Sequence, residues 1–119
     1  MEKGMYGVVL TPFSSDGQLN MDALYQELIY CRDTCVQGLL MCGSTGEFIY
    51  MDTEQQKEVL AAGMETVGKH KILIGGASAP TERGVQNLLE YMEKIGYKYA
   101  LICPPYYFPQ TPENVLNFL

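Results

Sequence analysis

The chain has a single histidine, His70, and no C-x-x-C pair among its four cysteines. A structural zinc site closes on paired thiolates or imidazoles, so a metal centre has nothing to build on. Cys31 and Cys35 lie one helical turn apart on a stripe with Leu24 and Leu28, while Cys42 and Cys103 each end an apolar run. Small buried thiols account for all four. Basic residues are also scarce. Eight Lys and Arg stand against fourteen Asp and Glu, for a net charge of -6, and they never form a run. That balance excludes a nucleic-acid surface. No apolar stretch reaches the ~20 residues of a membrane span. Met1-Glu2-Lys3-Gly4 leads directly into a strand-like run, which reads as neither a signal nor a transit peptide, so none is expected. The expected location is the cytoplasm, with no membrane partner.

What remains suits a globular fold. With 119 residues, 47% of them hydrophobic and 18% charged, the chain can form one domain with a core and is not disordered. Met5–Leu10, closed by Thr11-Pro12, reads as a strand buried on both faces. Ser14-Ser15-Asp16-Gly17 is turn chemistry, and Asn20 caps a helix with Met21, Leu24, Leu28, Cys31 and Cys35 on one face. Gly38–Cys42 is a second strand. Thr53 with Gln56 reads as a capping box heading a second helix, with Val59, Leu60, Met64 and Val67 inward. Ile72–Ile74 is a third strand, ending in Gly75-Gly76-Ala77-Ser78. Thr81 opens a helix with Val85, Leu88, Leu89, Met92 and Ile95 inward. Tyr99–Ile102 is a fourth strand. Thr111 and Pro112 then start a helix carrying Val115, Leu116 and Leu119.

Four β-α units repeat at ~30-residue spacing, and right-handed crossovers make their sheet parallel. The last helix stops on apolar residues without a cap, so the pattern expects a cut inside helix four. Residues 1–119 are then either most of a small doubly wound sheet or half of an eight-fold barrel of roughly 250 residues. The periodicity alone does not choose.

Two motifs sit at strand ends, where α/β folds place their chemistry. Gly43-Ser44-Thr45-Gly46-Glu47 follows the second strand. A glycine-flanked turn there aims N–H groups and two hydroxyls at a small anion. Pro104-Pro105-Tyr106-Tyr107 follows the fourth strand and adds phenols able to pass protons. Gly43 and Gly46 are expected to supply backbone freedom and close approach.

Thr11-Pro12-Phe13 with Asp16-Gly17, then Gly43–Glu47, then Pro105-Tyr106-Tyr107, in that order and over essentially the whole chain, strongly resemble the dihydrodipicolinate synthase/N-acetylneuraminate lyase family. The resemblance implies the N-terminal half, about four β-α units, of a TIM (β/α)8 barrel. It implies a class I aldolase or lyase that condenses or cleaves pyruvate or another 2-oxo acid as a lysine Schiff base, without a cofactor. Ser44 and Thr45 match the hydroxyl pair that holds the oxo acid's carboxylate, and Gly46 lies in the same loop. Tyr107 matches a relay tyrosine that reaches across a subunit interface, and Thr45 joins it as a catalytic position. Family members are dimers or tetramers, so a homo-oligomer is expected.

The Schiff-base lysine and a second tyrosine that the resemblance implies belong to later strands, beyond Leu119. Lys71 and Lys98 precede strands three and four, on the opposite rim, and Lys3, Lys57, Lys69 and Lys94 sit at the terminus or on helices. None is placed as an activated nucleophile, so this polypeptide alone is expected to be inactive. The second substrate stays open between aspartate semialdehyde, sialic acid and a keto-deoxy sugar acid. Ser-Thr in the loop, Phe48 and the PPYYF run lean toward the sugar-acid branches.

Plainer roles compete at each position. Ser44 and Thr45 can simply cap the turn into the next helix, Tyr106 stands between packing and function, and Gly43 is a further candidate. Glu47 reads as structural, bonding backbone in its own loop, and Thr11 as a packing residue. Gly75–Ser78 lacks the lysine of a P-loop and is expected to pack closely. Tyr91, Tyr97 and Tyr99 are assigned to packing. A second function class is a non-catalytic half-barrel that self-associates or pairs with another chain, because four units leave two sheet edges open.

Overall fold

Four short strands pair side by side in chain order, all parallel: β1 (Tyr6–Val8), β2 (Gly38–Met41), β3 (Ile72–Gly76) and β4 (Tyr99–Leu101). The computed structural model describes residues 3–106 and 108–118. Helices α1 (Met21–Arg32), α2 (Thr53–Val67) and α3 (Glu82–Ile95) form the crossovers, and α4 (Pro112–Phe118) follows β4. Consecutive strand order with a helix between each pair is the arrangement of half a barrel.

The helix ends are set locally. Asn20 accepts the Ala23 N–H at 3.1 Å, Thr81 the Gly84 N–H at 3.1 Å, and Thr111 the Asn114 N–H at 3.2 Å. The head of α2 differs from expectation by one residue. The box is Asp52 with Gln55: Asp52 Oδ1 accepts the Gln55 N–H at 2.8 Å, and Gln55 Oε1 accepts the Asp52 N–H at 3.0 Å. A carboxylate is a stronger acceptor beside the positive end of a helix than a hydroxyl, and Gln56 is drawn into the core instead. Cys35 also departs from its stripe. It lies beyond the end of α1 and is exposed, while Cys42 is buried and Cys31 and Cys103 are half-buried. Leu116 is exposed and α4 buries none of its residues. Leu119 lies outside the described residues.

The core fills the space between the sheet and α1 to α3. Val9, Leu39, Met41 and Leu73 point to that side and meet Leu24, Leu28, Val59, Leu60, Leu88 and Met92, all buried. Tyr97 joins them as a packing residue, its hydroxyl donating to the Leu60 carbonyl at 2.9 Å. Gly75-Gly76 packs closely, as its sequence suggested: a Cβ on Gly76 would stand 2.1 Å from the Cys42 carbonyl oxygen.

The other face of the sheet corrects the reading of strand one as buried on both faces. Side chains alternate along a strand and share a face across a register row. The row Val8, Leu40, Ile74, Tyr99 therefore lines one surface, with Leu10 and Leu101 beside it. Val8 is 41% exposed, Leu10 52%, Tyr99 37% and Leu101 48%. An apolar run reads the same whether its own chain or something else covers it, and here no described element does.

Candidate functional site

The loop after β2 begins and ends in left-handed backbone. Cys42 has φ 51° and Glu47 φ 56°, whereas among the described residues the only glycines with positive φ are Gly17 and Gly96. The freedom expected of Gly43 and Gly46 is thus supplied by side-chain-bearing neighbours, at a cost of ~1–3 kcal/mol each. The two glycines serve close approach. A Cβ on Gly46 would sit 2.9 Å from the Val9 carbonyl oxygen and 3.4 Å from Thr11 Oγ1, and one on Gly43 would sit 3.0 Å from Leu40 Cδ2. Thr11 is buried, which fits its packing role.

Within this frame the Glu47 N–H donates to the Ser44 carbonyl at 3.0 Å, and the Glu47 carbonyl accepts from Tyr50 N–H at 3.0 Å. Glu47 is structural through its backbone. Its exposed carboxylate makes no capping bond, unlike the expectation. Ser44 and Thr45 are exposed at the carboxyl end of β2, and among the described residues their hydroxyls have no hydrogen-bond partner. The plainer reading of these hydroxyls as caps of the following turn therefore finds no bond behind it. A single 3-10 turn (Phe48–Tyr50) then leads to α2.

The β2 and β4 loops meet. The rings of Phe48 and Tyr106 stack edge to face, centroids 5.8 Å apart and planes at 86°, a geometry aromatic pairs favour. Phe48 is buried and Tyr106 about half exposed. Tyr107, the expected relay residue, lies outside the described residues. Two of the six lysines lie at the other end of the strands. Lys71 Nζ donates to the Thr34 and Val36 carbonyls, each at 2.8 Å, and Lys98 lies beside it around a cleft of about 170 Å³ at the opposite rim. Lys57 pairs with Glu54 on the surface of α2. His70 is an exposed connector before β3.

One participant escaped the sequence reading. Gln56, 3% exposed, donates its Nε2 to the Met51 carbonyl at 3.4 Å and the Ser78 carbonyl at 3.3 Å. Ser78 Oγ in turn accepts the Cys103 N–H at 3.2 Å. One buried amide thereby ties the loops after β2 and β3, and the Ser78 hydroxyl ties the loop after β4 to them. The Gln56 Oε1 has no partner among the described residues. The available signal was a polar residue on the apolar stripe of Val59, Leu60 and Val67. The Gln56 carbonyl also accepts the Cys42 thiol at 3.7 Å. Burial pushes that thiol up to about 12, so it stays protonated as a donor. Among the described residues no cluster of His, Cys, Asp and Glu could hold a metal ion.

The model of the family described as "Dihydrodipicolinate synthetase family" matches residues 1–119. An uncharacterised DapA-like lyase of Thermococcus kodakarensis is 33% identical over 115 residues, covering 97% of this chain and 39% of that protein. The crystal structure of CdNal from Clostridium difficile, solved with mannosamine, superposes with a TM-score of 0.89 at 26% identity. It is matched over 98% of this chain and 40% of its own. N-acetylneuraminate lyase from Mycoplasma synoviae gives a TM-score of 0.92 at 24% identity over 98% and 41%, a likeness of fold. The chain spans about two fifths of the length of each of these relatives. With its four parallel β-α units in consecutive order, its architecture is that of the N-terminal half of a TIM barrel.

Proposed function

This chain belongs to the dihydrodipicolinate synthetase family, whose members are lyases, and from that premise we propose that it carries the carboxylate-binding loop of a Schiff-base aldolase. The substrate class is a 2-oxo acid, pyruvate first. Ser44 and Thr45 hold its carboxylate through their hydroxyls and the N–H groups of the turn, with Gly46 and Gly43 shaping the loop. Tyr107, with Tyr106 beside it, passes a proton toward the reacting carbon. A lysine amine adds to the oxo carbon and expels water, and the resulting imine accepts the electron pair when the neighbouring carbon–carbon bond breaks. That lysine is supplied by the complete barrel and not by residues 1–119, so the chain alone binds without turning over. The complete protein is a cytoplasmic homo-oligomer, dimer or tetramer, needing no cofactor.

The contact between Phe48 and Tyr106 is the observation that carries this reading, because it brings the hydroxyl-bearing loop and the phenol-bearing turn to one rim. Short side chains with unspent donors at the carboxyl edge of parallel strands suit a small anion. Titrating the isotope-labelled chain with pyruvate tests it. Amide shifts should concentrate at Ser44–Glu47 and weaken at least ~10-fold in apparent affinity in Thr45→Val. Borohydride reduction in the presence of pyruvate should leave every lysine unmodified. Shifts confined to the opposite rim, or a reduced lysine adduct, would overturn the reading.

A further inference from the structure

We propose that Gln56 is a positioning residue: its buried amide fixes the shape of the loop that carries Ser44 and Thr45 and, through Ser78, joins that loop to the turn carrying Tyr106. The effect on a bound carboxylate rests on the reading above, whereas the effect on the loop's shape rests on geometry alone. Gln56 grips the loop at both ends. At its start, the Cys42 thiol donates to the Gln56 backbone carbonyl at 3.7 Å. At its end, the side-chain Nε2 donates to the Met51 carbonyl at 3.4 Å. The same Nε2 reaches the Ser78 carbonyl at 3.3 Å, and the Ser78 hydroxyl accepts the Cys103 N–H at 3.2 Å. Pro104 and Pro105 follow with φ fixed by their rings, so the placement of Cys103 sets the direction in which the chain reaches Tyr106.

Stability does not explain an amide at this position. Its Oε1 has no partner among the described residues, although the side chain is buried. An unpaired buried acceptor offsets what two long bonds contribute, so an apolar side chain of like shape would fill the space about as well. Polar groups buried without a net return in stability belong to places that must be held in one arrangement. Such a place lies next to it. On either side of the exposed Ser44 and Thr45 the backbone is left-handed, at Cys42 and at Glu47. Strained backbone persists only where its surroundings over-determine it. The constraint reaches Glu47 through the Phe48–Tyr50 turn, which closes at Met51, the residue whose carbonyl the amide holds.

Three variants of the isotope-labelled chain test this by NMR. In Gln56→Met the carbon shifts of Glu47 should leave the left-handed range before any ligand is added. Apparent pyruvate affinity at Ser44–Glu47 should also fall at least ~10-fold, as misplacement of a binding group would cause. Val67→Ala empties a buried site at the other end of α2. It should keep the Glu47 shifts and an affinity within ~2-fold of wild type, because distant sites act independently. Gln56→Glu supplies the rescue, and decides the matter by itself if Gln56→Met does not fold. Its neutral carboxyl can donate to one of the two carbonyls and its anion to neither. Affinity relative to wild type should therefore recover at about pH 4.5 and fall at least ~10-fold at pH 7. Unchanged Glu47 shifts in Gln56→Met overturn the proposal. So does equal weakening in Gln56→Met and Val67→Ala, or a Gln56→Glu deficit indifferent to pH. A wild type without pyruvate shifts at Ser44–Glu47 fails the carboxylate reading alone, and the ligand-free Glu47 shifts then decide the role of Gln56.

Discussion

Replacing Gln56 by glutamate puts the buried strut to a quantitative test. The Gln56 amide reaches the Met51 and Ser78 carbonyls at 3.4 and 3.3 Å, from a side chain only 3% exposed. Bonds of that length lie at the low end of ~0.5–1.5 kcal/mol each, whereas the unpartnered Oε1 costs ~1–3 kcal/mol. Gln56→Met removes both terms, so its net effect should stay within ~2 kcal/mol. Gln56→Glu keeps the shape but turns the donor into an anion facing two carbonyl oxygens. Burial raises a carboxyl pKa by up to ~3–5 units, from about 4.3 in the unfolded chain. A rise of ~3 units costs ~4 kcal/mol once the pH exceeds the folded value. The sign follows from linkage. With the folded value above the unfolded one, the penalty is absent below about pH 4.3 and grows by ~1.4 kcal/mol per unit as pH rises. It then levels off above the folded value. Urea unfolding at pH 4, 5.5 and 7, at one protein concentration, with wild type and Gln56→Met alongside, measures this directly. A Gln56→Glu deficit equal at pH 4 and pH 7, or none at either, would refute the assigned role.

Two further outcomes follow from the same core. The Cys42 thiol rises from 9.0 to about 12 by burial, so stability should be flat below pH ~9 and fall as pH climbs toward 12, by about 1.4 kcal/mol per unit. Urea midpoints at pH 8, 9.5 and 10.5 should show Cys42→Ala flattening that limb. The Tyr97 phenol, also raised by burial, remains in both proteins and cancels in the difference. Gly76→Ala should cost about 3 kcal/mol or more, because its Cβ meets the Cys42 carbonyl, which is backbone and cannot swing away. Gly96→Ala, strained by a φ of 99° but facing open space, should cost nearer ~1 kcal/mol.

Local signals were legible where a single short bond decides them. Asn20, Thr81 and Thr111 each cap through an oxygen reaching the N–H three residues on, a relation written within four residues of sequence. The same rule failed at α2 because Asp52 with Gln55 and Thr53 with Gln56 offer identical spacing one residue apart. Only the helix face chosen by tertiary packing separates them. The left-handed residues escaped for a related reason. Glycine is the usual bearer of positive φ, so Gly43 and Gly46 attracted an assignment that belongs to Cys42 and Glu47. The rim itself was readable, since GSTGE and PPYY each end a strand of one parallel sheet. The strut linking them was not, because Gln56, Ser78 and Cys103 are far apart in the chain and carry no shared pattern.

The strain in the β2 loop and the strut beneath it are two halves of one device. Left-handed backbone at Cys42 and Glu47 raises the energy of the folded loop by ~1–3 kcal/mol each, and it persists only where neighbours fix it. At Cys42 the fixing contacts are the buried thiol, its bond to the Gln56 carbonyl, and the Gly76 backbone pressed against its own carbonyl. At Glu47 the turn closes on Ser44, and the next residue, Phe48, is pinned by Tyr106. Two anchors of the loop, the Gly76 backbone and the Tyr106 ring, are therefore also ties to β3 and to the loop after β4. Loosening any tie lets the loop relax toward ordinary backbone angles, which would turn the Ser44 and Thr45 hydroxyls away from their shared rim. Weakened binding of the proposed carboxylate ligand and lowered stability should then appear together in Gln56→Glu at pH 7, although Gln56 touches neither hydroxyl.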